Sequence, residues 1–167
     1  MSLAIVPGSF DPMTMGHLDI VRKAAERYNE VVVAVMVNPS KKYLFDMQTR
    51  VEIARRTVAA FPNVRVIADR GMLIDLFDRL GASAVCKGWR NDRDYDYELH
   101  MADWNRAHNP RFRTELIRSR GEFADLSSTE VRQMLSVGDA PEGLVHPDAL
   151  PLILQKLNFG KREEDEN

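Results

Sequence analysis

The residues of greatest chemical promise are one histidine, three cations and a short run of hydroxyls. The histidine, His17, closes the run Pro7-Gly8-Ser9-Phe10-Asp11-Pro12-Met13-Thr14-Met15-Gly16-His17. An apolar Leu3-Ala4-Ile5-Val6 precedes that run and an amphipathic stretch follows it, so it reads as a strand, a phosphate-sized turn and a helix opening on His17. Gly8 and Gly16 would let backbone approach a ligand where a Cβ would clash. The first amides of a helix lack intrahelical partners and point at whatever anion sits there. A nucleotide phosphate is the natural guest, and an imidazole adds a donor whose charge ordinarily changes near neutral pH.

Of the cations, Lys41 lies far in sequence from Lys87 and Arg90, and the chain's periodicity says how they could meet. Strands are predicted over 3–6, 31–37, 64–68, 82–86 and, more weakly, 114–118, with helices over 17–28, 47–60, 72–80, 94–107, 128–136 and 147–157. In the first helix Leu18, Val21, Ala25 and Tyr28 form an apolar stripe opposite Arg22, Lys23, Glu26 and Arg27. Strands alternating with helices imply an α/β fold, a doubly wound five-stranded parallel sheet with right-handed crossovers. Ligands of such sheets gather at the carboxyl ends of the strands. The turns bearing Gly8, Lys41, Leu73 and Lys87 to Arg90 would then project from one sheet edge, and the positive charge of one cleft would suit a reaction in which two anions meet.

Composition is that of a soluble globular protein: 167 residues, 44% apolar and 29% charged, with a formal net charge of −2. That acidic balance argues against a nucleic-acid binder. No apolar run reaches membrane-spanning length and the start lacks a signal-peptide pattern, so no membrane association and a cytoplasmic location are expected. The single cysteine, Cys86, excludes an internal disulfide and sits in the apolar run Ala82-Ser83-Ala84-Val85-Cys86, where it reads as a buried strand residue. Residues 1–159 are expected to form one domain, and the charged run over 160–167 a disordered tail.

The Gly8-to-His17 run resembles the mark of the nucleotidyltransferase superfamily, G-x-F-D-P-x-[H/T]-x-G-H, at every fixed position. Thr14 stands where most members carry a second histidine, and T-x-G-H is the form found in the phosphopantetheine adenylyltransferase family. The likeness continues at Asn38-Pro39-Ser40-Lys41-Lys42, Lys87-Gly88-Trp89-Arg90, Asp94-Tyr95-Asp96-Tyr97-Glu98 and Leu126-Ser127-Ser128-Thr129-Glu130-Val131, covering nearly the whole chain to about residue 158. It implies a Rossmann-like nucleotidyltransferase fold and transfer of the adenylyl group of ATP to 4′-phosphopantetheine, giving dephospho-coenzyme A and pyrophosphate.

The same resemblance implies roles. His17 stabilises charge on the α-phosphate, and Lys41 bridges that group and the attacking phosphate. Ser9 and the Phe10 amide grip phosphates, while Leu73 and Lys87 serve the phosphopantetheine. Gly88, Trp89, Arg90 and Glu98 hold the nucleotide, with Glu98 on the ribose, and Phe123, Ala124, Asp125, Leu126, Ser127, Ser128 and Thr129 wrap it from the other side. The family usually carries Arg at Lys87, so charge is kept there and fork geometry lost. Ser127 to Arg132 also reads, without any family, as a helix start with hydroxyl caps and an acidic first turn. Mg²⁺ would arrive with ATP, riding on the triphosphate and water, since no metal-ligand cluster is visible in the sequence. A homohexamer and feedback inhibition by coenzyme A complete the implied picture. Tyr97, Met101 and Trp104, at helical spacing, read as core or subunit contacts. Two readings stay open beside the leading one: another small-molecule nucleotidyltransferase of the same superfamily, and a nucleotide-binding module without turnover.

Overall fold

A computed structural model describes residues 1–157, so the expected tail and the last residues of the domain boundary lie outside the described part. Twelve elements alternate along it: β1 (Leu3–Gly8), α1 (Met15–Arg27), β2 (Glu30–Met36), α2 (Met47–Val58), β3 (Val64–Asp69), α3 (Leu73–Leu80), β4 (Ala84–Trp89), α4 (Asp92–His108), β5 (Thr114–Arg118), a single 3₁₀ turn (Gly121–Phe123), α5 (Ser128–Ser136) and α6 (Leu150–Lys156). The five strands form one parallel sheet in the order β3-β2-β1-β4-β5. The chain winds outward from β1 to β3, then returns to lay β4 on the other side of β1. That reversal is where an open α/β sheet leaves a crevice. β1 pairs with β2 along its whole length but with β4 only at Ala4↔Ala84 and Ile5↔Val85. The carboxyl ends of β1 and β4 are therefore not zipped together, and the crevice opens there.

The central strands read as apolar runs because helices cover both faces. Ala4, Val6, Val31, Val33 and Val35 pack with α1, α2, α5 and α6 on one face; Ile5, Ala34 and Val85 meet Leu76, Phe77 and Phe112 on the other. α4 differs from its fellows: it touches β4 and β5, yet none of its seventeen residues is buried.

Element boundaries depart from the sequence expectation in two places that bear on the site. α1 starts at Met15, two residues before the predicted opening, because buried Thr14 caps it: its Oγ1 accepts from the His17 amide, and His17 Nδ1 accepts from the Thr14 amide at 3.0 Å. His17 thus stands at the third helical position, closing a capping box with an imidazole in place of the usual carboxylate. The second departure is β4, predicted over 82–86, which runs on to Trp89. Lys87, Gly88 and Trp89 pair with Leu116, Ile117 and Arg118, so these residues are strand and not loop. Elsewhere boundaries move by at most two residues, except that the last helix shortens from 147–157 to Leu150–Lys156, with Pro151 in its first turn.

Candidate active-site cleft

A cleft of about 610 Å³ lies over the carboxyl ends of β1 and β4, walled by residues of β1, α1, β4, α4 and α5 and of the loop after β2. On its floor Phe10 adopts a φ of 48°, a left-handed conformation uncommon for a side-chain-bearing residue, and its ring lies edge-on to His17 at 5.1 Å between centroids. The two glycines line the cleft and make room for the protein's own atoms. A Cβ at Gly8 would meet the Phe10 ring at 2.9 Å, and one at Gly16 would meet the Phe123 carbonyl at 3.3 Å.

His17 lines the cleft, and its surroundings decide its charge. Desolvation, reinforced by the Arg90 cation, pushes its pKa down from 6.5 to about 4. The expected change of charge near neutral pH is therefore absent, and the ring is neutral where the protein works. Because Nδ1 accepts from the Thr14 amide, the proton resides on Nε2. A neutral donor with a fixed tautomer results.

The loop between β2 and α2 carries Lys41, Lys42 and Tyr43 to the cleft, and two buried charges hold it there. The Asp11 carboxylate accepts from the Leu44 and Phe45 amides at 2.8 and 3.0 Å. Arg50 donates to the carbonyls of Ser9, Met36 and Phe45 at 2.8, 3.2 and 3.2 Å, and its guanidinium lies 3.9 Å from the centroid of the Tyr43 ring. Asp11 and Arg50 are 3% and 2% exposed, so their hydrogen bonds are what make such burial tolerable. Lys41 and Lys42 themselves remain exposed.

Across the cleft the cations rest against carboxylates. Lys87 Nζ lies 3.4 Å from Glu98 of α4, and Arg90 Nε donates to Asp94 at 3.2 Å. From the third side α5 is tied to the floor: Ser128 Oγ donates to the Pro12 carbonyl at 2.8 Å, and Arg132 donates to the Asp11 carbonyl at 2.9 Å and to Thr129 Oγ1 at 3.1 Å. Ser127 caps the helix by accepting from the Glu130 amide. Of the hydroxyls expected to face a triphosphate, that of Ser128 donates within the protein, whereas those of Ser127 and Thr129 only accept there and keep their protons. These two O–H groups and the first-turn amides of α5 are left to receive an anion.

Of the sequence-predicted residues, Ser9, Phe10, His17, Lys41, Lys87, Gly88, Arg90, Glu98, Leu126, Ser127, Ser128 and Thr129 all line the cleft. Leu73 does not. It opens α3 and lines a neighbouring cavity of about 90 Å³ that shares Lys87 and Glu98 with the cleft and adds Tyr97, Met101 and Asn105. Trp89 also faces elsewhere, edge-on to Tyr95 at 4.9 Å and beneath the Arg118 guanidinium at 5.0 Å. Phe123, Ala124 and Asp125 are not on the cleft wall: the Phe123 carbonyl backs Gly16, and Ala124 is buried. Tyr97 and Trp104 are 61% and 42% exposed, so neither is a core residue. Cys86 is fully buried, and desolvation pushes its thiol up to about 12, as befits an inert strand residue. Asp11, Tyr43, Arg50 and Arg132 were not read from the sequence as site residues. Two of them carried a local signal: Asp11 is a fixed position of the Gly8-to-His17 run, and Arg132 lies one helical turn beyond Ser128 on the same face.

Among the described residues no three His, Cys, Asp or Glu side chains gather into a metal site, and no helix is long and apolar enough to cross a membrane. The profile of the cytidylyltransferase-like family matches residues 5–134. The chain is 44% identical over 147 residues to the phosphopantetheine adenylyltransferase of Symbiobacterium thermophilum, an alignment covering 88% of this chain and 91% of that one. It is 40% identical over 156 residues to the enzyme of the same name from Heliobacterium modesticaldum, with 93% of each chain covered, and 37% identical over 158 residues to that of Clostridium tetani, covering 95% and 99%. A crystal structure from Vibrio parahaemolyticus, provisionally assigned as a nicotinate-nucleotide adenylyltransferase, superimposes with a TM-score of 0.70 over 95% of this chain and 96% of that one, at 14% identity. That last likeness speaks to the fold alone.

Proposed function

The chain belongs to the phosphopantetheine adenylyltransferase family, and from that premise we propose how its cleft carries the family's reaction. It transfers the adenylyl group of ATP to 4′-phosphopantetheine, giving dephospho-coenzyme A and pyrophosphate on the route to coenzyme A. An oxygen of the pantetheine phosphate attacks the α-phosphorus. A phosphoanhydride bond forms, the bond from that phosphorus to the bridging oxygen breaks, and pyrophosphate departs with the electron pair. No residue need act as nucleophile, so positioning and charge stabilisation supply the rate.

The observation that carries this reading is His17, a neutral imidazole with its Nδ1 fixed by the Thr14 amide and its Nε2 proton available to the cleft. In our reading Nε2–H donates to an α-phosphate oxygen as charge accumulates there. Lys41 bridges the attacking phosphate and the α-phosphate, Ser9 and the Phe10 amide hold phosphate oxygens, and Arg90 and the α5 amides take the triphosphate. Lys87 exchanges Glu98 for substrate phosphate, releasing Glu98 to accept from the ribose. The narrow cavity lined by Leu73, Met101 and Asn105 suits the pantetheine arm, whose amides alternate with methylenes.

Magnesium is proposed to sit on the triphosphate oxygens and water, since the described residues offer no donor set that fits it. A homo-oligomer, a hexamer by the family resemblance, is supported by α4, whose Tyr97, Leu99 and Trp104 are exposed while none of its residues is buried. Light scattering in solution tests it. Coenzyme A shares the product's skeleton and is proposed to compete for the same cleft, and a cytoplasmic location is proposed with it. The deciding experiment incubates the protein with ATP and 4′-phosphopantetheine and follows pyrophosphate and dephospho-coenzyme A. Release with nicotinate mononucleotide or CTP instead would overturn the assignment.

A further inference from the structure

Tyr43 is a cleft residue with a polar group left underused. Its phenol oxygen accepts a short hydrogen bond, 2.6 Å, from the Asn38 amide, which fixes the oxygen in place. The acceptors within reach of its own proton are poor: Ser9 Oγ at 3.4 Å and the Asn38 carbonyl at 3.5 Å. The ring is held independently by the Arg50 guanidinium over its face at 3.9 Å, and Arg50 is anchored to three backbone carbonyls. A donor is thus immobilised on the cleft wall, next to Ser9 and two residues from Lys41, with its hydrogen nearly free.

The electrical setting suits an anion. Burial pushes the phenol's pKa up, but the Ser9 and Asn38 hydrogen bonds and the Arg50 and Lys41 charges outweigh it and leave the group below its ordinary value. A more acidic O–H is a stronger donor to an anionic oxygen.

We infer that Tyr43 is a further substrate-binding residue, whose hydroxyl donates to the phosphate of 4′-phosphopantetheine held at Ser9 and Lys41. The inference rests on the activity proposed above. It makes the grip on the attacking phosphate a three-point one, in which Ser9 and Tyr43 supply directional hydrogen bonds and Lys41 the charge. The Asn38 amide keeps the Tyr43 oxygen from turning away while its hydrogen leaves Ser9 for the ligand.

Tyr43→Phe removes the hydroxyl and keeps the ring on Arg50. Calorimetric titration of this variant should show 4′-phosphopantetheine bound roughly tenfold or more weakly than by the wild-type protein, as for loss of one hydrogen bond to a charged group, with ATP affinity unchanged and the thermal midpoint preserved. Unchanged affinity for both ligands would overturn the contact. Equal weakening of both would also overturn it, because the hydroxyl would then serve only to order the loop through Asn38. Wild-type protein that binds ATP but never 4′-phosphopantetheine would instead overturn the proposed activity, and this contact with it.

Discussion

The two long banks of the cleft are built in opposite ways. On the β1–α1 bank the framework beneath the cleft is held by fixed partners within the protein: Asp11 holds two loop amides, Thr14 and His17 cap each other, and Arg50 spans three carbonyls. On the β4–α4 bank the cations rest on carboxylates of a helix with no buried residue, Lys87 on Glu98 and Arg90 on Asp94. The first bank needs no rearrangement to meet a transition state. The second must exchange one ionic partner for another, so each of its cations gains only the difference between two interactions. Groups that act on the transition state belong on the first bank, and groups that select and release ligands on the second.

The sharpest way to break that contrast is His17→Ala. If Nε2–H acts chiefly on developing charge, kcat should fall by roughly a hundredfold or more while ATP affinity stays nearly intact, in line with the loss of one preorganised donor. Steady-state kinetics with calorimetry decide it, and near-normal kcat would end the contrast. The charge state offers a second check on the same residue. With its pKa lowered from 6.5 to about 4, His17 stays unprotonated in the folded protein while the unfolded chain takes up a proton. That difference removes stability as pH falls from 6.5 toward 4, so stability should rise with pH across the window. His17→Ala should flatten that part of the curve. An NMR titration of the His17 ring with a midpoint near 6.5 would contradict the desolvated, neutral imidazole.

Lys41→Ala should have the next largest effect, because Lys41 stands exposed on the first bank with no carboxylate in contact among the described residues. Its full charge is then available to the two phosphates. Turnover and phosphopantetheine binding should fall together, each by roughly tenfold or more. Arg90→Ala should act differently, weakening ATP by several-fold and phosphopantetheine less, since a guanidinium already shared with Asp94 has less to lose. Calorimetry of both ligands against both variants makes the comparison, and identical losses would erase the distinction between the banks.

What the sequence disclosed follows the same division. Local pattern sufficed for the central strands, where Val31 to Val35 are buried on both faces, and for Thr14-Met15-Gly16-His17, whose groups meet within one helical turn. Pattern failed where a distant partner decides. Lys87-Gly88-Trp89 has no apolar alternation and is a strand only because β5 pairs with it. Arg50 reads as one more helix-surface cation until the Ser9 and Met36 carbonyls, from two different strand ends, are brought to it. Tyr43 gave no signal at all, since its partners arrive through tertiary contacts. Leu73 was rightly placed after β3, yet the geometry of α3 and α4 sends it to the side cavity rather than the main cleft. The lowered pKa of His17 likewise depends on packing that no spacing rule contains.

The smallest effect should come from Lys87, and it tests the second bank most finely. Its ammonium already lies 3.4 Å from Glu98, with 31% of the side chain exposed, so binding substrate phosphate replaces one screened ionic contact with another. Lys87→Ala should therefore raise the KM for phosphopantetheine by only a few-fold, less than Lys41→Ala does, and the effect should shrink in high salt. Lys87→Arg restores the residue usual in the family. It should keep activity and tighten phosphopantetheine by up to about 1 kcal/mol if the planar fork reaches two phosphate oxygens while still facing Glu98. Glu98→Gln separates the two terms, because it removes the resting partner without touching the cation. If the ion pair is what blunts Lys87, Glu98→Gln should tighten phosphopantetheine while weakening ATP through the lost ribose contact. Weakening of both ligands alike would mean that Glu98 holds Lys87 in place for the substrate rather than competing for it.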